Sequence, residues 1–453
     1  MTTENMFSGI DFGDKRLNKR LNLFIEQKTR NVQEGSILGA TKERGQAKAI
    51  YRLLANKKFD LGKVEEQVKI TTINQMEGTV LLISDTMDAD YNGHKKTEGL
   101  GYSSEHVLGV KAHSCIAVKP NGLPIGLLKQ FYDTREEAKS TLTAKEKADR
   151  TIEEKESYKW LEMLKEAIKD LPEGVTPISI CDREGDIYEL YALALELESL
   201  FVIRVIHDRN TINSDEKMIT QLRKTEADAT ITTNIPRDSR ANKPPRQVEM
   251  DVAGLTVTIK KPNSVKSKNV PDNLTINLVR ITEINNTTND AIEWLLATNL
   301  PIKTVEDKMK VVEYYIQRWK IERFHYVLKS GCKVESIQQR SYERIKPLLL
   351  IYSVIAMFIM TITYTGRILP NTLCNAFFNE DEWKILYKII KKAPAPEEPY
   401  SMEEAVKYVG QLGGYKRAPS DGPYGLKVVW KGLNKLYELS TNYSILTNIS
   451  GSP

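Results

Sequence analysis

Three carboxylates in this chain stand where a divalent cation could be held. Asp85 ends the apolar run 80–84 (VLLIS), and Asp182 ends the apolar run 177–181 (PISIC). Continuous apolar runs of this length read as strands buried on both faces. In α/β sheets, side chains at the carboxyl ends of strands are where ligands bind. Either aspartate alone reads as well as a turn former or a helix cap, and Asp88, Asp90, Glu184 and Asp186 are rival ligands. The third carboxylate, Glu322, lies in VVEYYIQRWKIERFHYVLKSG (311–331), where Tyr315, Arg318, Glu322 and Lys329 are spaced by three, four and seven residues. On a continuous helix those intervals put all four on one face. The plain reading of such a face is a solvated stripe with an Arg318–Glu322 ion pair. The chemical reading is a carboxylate for metal beside cationic and phenolic groups that grip phosphates. Two Mg2+ ions held by three carboxylates can activate a water or a 3′-hydroxyl and stabilise the leaving oxygen of an in-line displacement at phosphorus.

The frame that must position these groups is an α/β core. After the strand at 79–83, strands at 107–118 and 123–131 flank the turn Pro120-Asn121-Gly122, a hairpin signal. The segment 158–170 is an amphipathic helix with Trp160, Leu161, Leu164 and Ile168 on its apolar stripe. The strand 177–181, a helix at 187–197 and the strand 201–206 (FVIRVI) follow. From 229 to 286 the texture is β-type, in the runs ATITTNI, VEMDVAGLTVTIKK and LTINLVRITEI. The Pro- and Arg-rich loop 237–246 among them reads as a basic face for nucleic acid. A strand at 293–299 precedes two long helices, 304–330 and 341–366, and the Pro-rich linker 391–400 leads to Ser401 and Glu404, spaced as a capping box that opens a helical C-terminal module.

A chain of 453 residues is long for one core, so two or three domains are expected. Hydrophobic and charged contents of 41% and 28% exclude a disordered chain. The net charge of +5 is modest, but residues 15–58 carry twelve Lys or Arg against three acids. That basic block fits a polyanionic partner or a solvated helical face. Residues 11–60 read as helical, with Leu17, Leu21 and Phe24 on one face and a second helix at 45–55. Four scattered cysteines (Cys115, Cys181, Cys332, Cys374) with no CxxC pair argue against a zinc module or disulfide scaffold and fit a reducing cytoplasm. The N-terminus has no apolar signal region. Residues 348–365 (LLLIYSVIAMFIMTITYT) approach the length of a membrane span, but Ser353, Thr361 and Thr363 interrupt them, and a buried core helix is expected. The histidines suggest no site by spacing; His325, three residues after Glu322, reads as a packing residue or a support for that carboxylate.

Taken together, these motifs make the chain resemble the bacterial insertion-sequence transposases with an Asp-Asp-Glu active site and a Tyr-Arg-Glu-Lys signature. That signature, Y-x2-R-x3-E-x6-K, is met by Tyr315, Arg318, Glu322 and Lys329. The family's second motif, C-D-R-E-x-D-I after a strand, is met by residues 181–187, and its first, D-T with a tyrosine soon after, by Asp85, Thr86 and Tyr91. Smaller echoes are Glu154-Lys155-Glu156-Ser157 with Trp160, and Gly413-Gly414-Tyr415. The resemblance implies an RNase H-like catalytic core (71–370) with a β-rich insertion near 208–290, a helical DNA-binding domain (1–70) and a helical dimerisation domain (371–453). The insertion accounts for the 97 residues from Asp85 to Asp182 and the 140 from Asp182 to Glu322.

By the same resemblance, Asp85, Asp182 and Glu322 are the catalytic metal ligands, with Mg2+ as cofactor and Mn2+ as its substitute. Tyr315, Arg318 and Lys329 hold phosphates near a nucleotide flipped during hairpin formation. Trp294, in WLLATN, receives the flipped base, against the alternative of a core tryptophan on a strand. The family's N-terminal contacts do not carry over by position, so Lys42, Arg44, Lys48 and Arg52 are named from the basic block alone. The expected function is a cut-and-paste DNA transposase. It cleaves transposon ends through a hairpin and joins them to target DNA, acting in the cytoplasm at the nucleoid, with no membrane. Its expected partners are double-stranded DNA (terminal inverted repeats and target) and a second copy of the chain, with catalysis in trans. The alternative is a catalytically inactive DNA-binding regulator on the same fold, against which the three intact acids speak.

Overall fold

The computed structural model describes residues 5–136, 143, 146, 149–212, 214–235, 245–286, 291–416 and 424–450. Two compact units are present: Met1–Met76, Thr86–Ser140 and Lys320–Pro453 form the first, and Glu77–Asp85 and Thr141–Trp319 the second. The fold is mixed α/β with helical ends. Strand β1 (Thr79–Asp90) passes from the second unit into the first after Asp85.

The second unit holds a mixed sheet. Its strands are β5 (Thr176–Cys181), β6 (Leu200–Arg204), β7 (Ala229–Ile235), β8 (Arg246–Lys260), β9 (Asn273–Glu283) and β10 (Glu293–Thr298) beside the first half of β1, in the order β1-β5-β6-β10-β9-β8-β7. The pairs β1–β5 and β5–β6 are parallel, and every pair from β6 to β7 is antiparallel. Sequence texture explains the change. The parallel strands are short apolar runs buried on both faces, whereas β7 and β9 alternate, as one-sided antiparallel strands do. Helices α5 (Tyr158–Ile168) and α6 (Tyr188–Glu196) cover the parallel end through a core that includes Trp160, Tyr191 and Phe201, to which α7 (Met218–Lys224) adds Met218 and Leu222. The basic loop 237–246 lies outside the described residues up to 244.

The first unit is mainly helical. Its N-terminal helices α1 (Lys15–Arg30), α2 (Ile37–Thr41) and α3 (Arg44–Leu54) fall within the stretch read as helical at 11–60, and α4 (Leu61–Ile73) follows beyond it. Strand β2 (Tyr102–Ser104) pairs with β3 (Val107–Val118), whose hairpin with β4 (Pro124–Asp133) turns as expected, with Gly122 at φ 88°. Helix α10 (Tyr342–Ile368) is the apolar segment read as a core helix, and it is buried within this unit. Its polar interruptions are satisfied: Ser353 donates to Gln130 Oε1 at 3.0 Å, and Thr361 and Thr363 donate to carbonyls one turn back. Helices α11 (Glu380–Lys391), α12 (Met402–Leu412) and α13 (Leu426–Ser450) pack around one another beyond it.

Three local expectations need correction. Asp85 does not end its strand, because β1 continues to Asp90; what ends is the pairing with β5, at Ile83–Ile180. The long helix expected at 304–330 is broken into α8 (Val305–Ile316), α9 (Trp319–Tyr326) and a π-turn at Val327–Gly331. The break comes from i→i−3 bonds that tighten the chain, Gln317 N to Tyr314 O at 3.1 Å and Arg318 N to Tyr315 O at 2.9 Å. The π-turn brings Gly331 against the Trp430 ring, where a Cβ would sit 3.2 Å from the indole. Finally, only half of the capping box at Ser401 forms: Ser401 caps Glu404 N, but the Glu404 carboxylate accepts from Tyr408 Oη at 2.8 Å instead of reaching back.

Candidate active site

In the second unit, the register of β1 on β5 sets the two aspartates level. Ile83 pairs with Ile180, so Asp85 and Asp182 each lie two residues beyond the last paired position, where the strands part. Neighbouring strands run about 4.8 Å apart, and a crevice outside the carboxyl ends of parallel strands is where such sheets bind ligands. Asp182 also caps the short 3-10 turn Arg183–Gly185, accepting from Glu184 N at 2.8 Å. Gly185 is required there, since a Cβ would come within 2.5 Å of Cys181 Cβ. The motif C-D-R-E-G thus folds back on its own strand and fixes Asp182.

Arg318 Nη1 lies 3.8 Å from Asp85 Oδ2. Its guanidinium is also 6.0 Å from the Tyr315 ring centroid and 5.2 Å from that of Trp319. Tyr315 is buried, and its ring meets Trp294 edge-on at 5.3 Å. Trp294, on β10, is half-buried. Burial pushes the Tyr315 phenol up; the Arg318 and Arg204 guanidiniums oppose this, and Asp182 adds to it. Asp85, Asp182, Tyr315, Arg318 and Trp294 therefore gather in one unit.

Glu322 and Lys329 belong to the other unit, on α9 and the π-turn. The break at Gln317–Arg318 and the π-turn interrupt the continuous helix on which the four signature residues are expected. Lys329 pairs with Glu335 at 3.0 Å. Among the described residues, no three His, Cys, Asp or Glu side chains form a group that could hold a metal ion.

Three of the four rival acids, Asp186, Asp88 and Asp90, have partners of their own. Asp186 is buried and accepts from Tyr191 Oη (2.7 Å), Ile206 N (2.7 Å) and His207 N (2.8 Å), and its carboxylate pairs with the equally buried Arg209. Asp88 lies 3.8 Å from Lys111 Nζ, and Asp90 accepts from Asn92 N at 2.7 Å. His325 packs its ring on Phe324 at 5.5 Å.

Motif spacing does not single out Arg204, though an arginine inside the apolar run FVIRVI is a signal. Its Nη2 donates to Glu293 O at 3.2 Å. Burial lowers its pKa, Arg183 and Arg318 add to that, and Tyr315 opposes it. A cleft of about 340 Å³ opens here, lined by Arg183, Arg204 and Arg223 together with Glu293 and Leu295. Arg223 is held by Glu293 through hydrogen bonds of 3.0 and 2.6 Å.

The N-terminal candidates lie in the first unit. Arg44, Lys48 and Arg52 follow one another at intervals of four along α3, opposite its buried face of Ala47, Ile50, Leu53 and Leu54. Lys42 closes α2 in the left-handed conformation at φ 61°. All four are exposed.

Known proteins share parts of this chain. Residues 2–59 match the family described as Transposase DNA-binding, and residues 354–443 match the Transposase Tn5 dimerisation domain. A solved piggyBac transposase synaptic complex with hairpin DNA is similar over 96% of this chain and 73% of its own, at 11% identity and a TM-score of 0.40, a likeness too distant to transfer detail. The two family matches support a transposase, with a DNA-binding module at one end of the chain and a dimerisation module at the other.

Proposed function

We propose that this protein is a cut-and-paste DNA transposase of the Asp-Asp-Glu type on an RNase H-like core, cleaving transposon ends through a hairpin and transferring them to target DNA. The observation that carries the reading is the level placement of Asp85 and Asp182 at parting parallel strands, with Arg318 and Tyr315 beside them. Carboxylates are the hard oxygen donors that Mg2+ takes, usually few in number with water and phosphate completing the shell. Asp85 and Asp182 fit as two such donors, and the resemblance supplies Glu322 as the third. Bound there, Mg2+ (or Mn2+) would supply charge stabilisation for an in-line displacement at phosphorus.

The chain's own residues account for the rest. Arg318 and Arg204 offer guanidinium donors whose fork geometry suits phosphate oxygens. Trp294, half-buried against Tyr315, would present a ring face on which an extruded base can stack. Lys329 is the further cation of the signature, and the exposed row Arg44, Lys48 and Arg52, with Lys42, would contact the phosphates of the transposon end. Two copies would meet through the C-terminal helices, each acting on the end bound by the other.

Incubation of the purified protein with Mg2+ and linear DNA carrying the element's ends tests this, with Glu322→Ala alongside. Hairpin and excised products from wild type alone, abolished by EDTA, are expected. Stable binding without cleavage in either sample would instead identify a catalytically silent regulator.

A further inference from the structure

Lys320 and Arg367 place two positive charges against one aromatic ring in the first unit, and Arg323 lies near enough to Lys320 to act on it electrostatically. Lys320 Nζ sits 3.9 Å over the Tyr364 ring, and the Arg367 guanidinium lies 5.2 Å from that ring and 5.2 Å from the ring of Tyr424. Arg367 also donates to the Tyr424 carbonyl, which fixes its direction. Arg323 follows Lys320 by three residues on α9, so the two share a flank of the helix. Among the described residues, none of the three cations has a carboxylate within 4.0 Å. Lys320 and Tyr364 are half-buried, and Arg323 and Arg367 are exposed. A surface that gathers like charges presents a strong local field to an arriving anion.

We infer that Lys320, Arg323 and Arg367 form a cradle for the phosphate backbone of duplex DNA. The inference rests on the transposase reading for the identity of the anion. Guanidinium forks and a flexible ammonium are the groups that fasten phosphate oxygens without reading bases. The phosphate held here is not the one proposed to be attacked. An α-helix turns about 100° per residue, so Arg323 and Lys320 point roughly 100° and 160° around α9 from Glu322. The cradle therefore fastens DNA at a second point, as a positioning contact indifferent to sequence.

The test is anisotropy of labelled duplexes against salt concentration, using the full chain as wild type, Arg323→Gln, Arg367→Lys and Arg323→Gln/Arg367→Gln. One probe carries the element's ends and the other a random sequence. The double variant is expected to bind both probes about tenfold more weakly, and its salt slope should shrink by about 0.9 for each phosphate it no longer neutralises. Arg323→Gln alone should show a smaller drop in affinity on both probes, without any fall in melting temperature, since among the described residues its side chain has no ion-pair partner. Arg367→Lys, which keeps the charge, should retain most of the affinity. Unchanged affinity and slope in the glutamine variants would overturn the cradle. If the wild type still cleaved DNA with Mg2+, that result would leave the transposase reading standing; a wild type that bound neither probe would overturn both.

Discussion

Within the second unit, the Arg318 guanidinium reaches to 3.8 Å from the Asp85 carboxylate, with both side chains mostly buried. A metal-ligand candidate and the first cation of the Tyr-Arg-Glu-Lys signature are thus already paired, and rings of Tyr315 and Trp319 hold the arginine in place. Burial makes such a pair count for more than an exposed one, and makes the loss of one partner costly.

Arg318→Gln should therefore slow cleavage of transposon ends by about 100-fold or more, the usual cost of removing one preorganised donor from a site that stabilises developing charge. Single-turnover cleavage under saturating Mg2+ reads this, with the melting temperature as a control for folding. A rate equal to wild type would return Arg318 to the role of a structural ion pair.

Trp294→Ala should reduce hairpin formation by roughly 10- to 100-fold, from the ~1–3 kcal/mol that one base–aromatic stack contributes. Trp294→Phe should recover part of that rate, because a smaller ring still offers a face. Hairpin yield on a fixed quantity of bound ends is the measurement. Equal loss in both variants, accompanied by a lower melting temperature, would mean that the ring serves only to pack on Tyr315.

Asp186→Ala should destabilise the protein by about 3–5 kcal/mol, since Arg209 would be left buried and uncompensated and the backbone N–H groups of Ile206 and His207 would lose their acceptor. Urea unfolding measures it. A fall in metal affinity at undiminished stability would show that Asp186, and not only Asp85 and Asp182, holds the cation.

Lys28 is fully buried in the first unit and donates to the carbonyls of Val32 (2.7 Å), Glu34 (2.6 Å) and Cys332 (3.3 Å), with Tyr352 beneath it at 4.1 Å. Burial pushes its ammonium down to about 8. The folded value lies below the unfolded one, so folding expels a proton. The associated stability is complete above the unfolded value and is lost as pH falls through about 8. Wild type should accordingly gain on Lys28→Met by about 2–3 kcal/mol between pH 8 and 10.5. Parallel urea titrations of the two proteins across that window would show it, and a constant difference would mean that the three carbonyls stabilise the ammonium as well as water does.

Most of the elements are legible in the sequence because their signals are local. The apolar run PISIC and the turn around Asn121-Gly122 are recognised by neighbours in the chain, and β5 and the β3–β4 hairpin form where those signals stand. The signature residues can likewise be named from their spacing together with the family resemblance. Their spatial arrangement cannot, because it depends on partners distant in the chain. Nothing local says that the helix at 304–330 breaks at Gln317–Arg318, or that Arg204 joins Tyr315 and Arg318 from the end of β6. Asp186 sits four residues after Asp182 and by sequence is an equal ligand; burial against Arg209 removes it from contention. The sequence by itself determined the periods, the apolar runs and the residue types that chemistry needs, since backbone geometry and hydrophobic alternation act over a few residues. Only the tertiary structure decided which charges meet, because burying a charge demands a partner, and that partner comes from whichever segment the fold brings within reach.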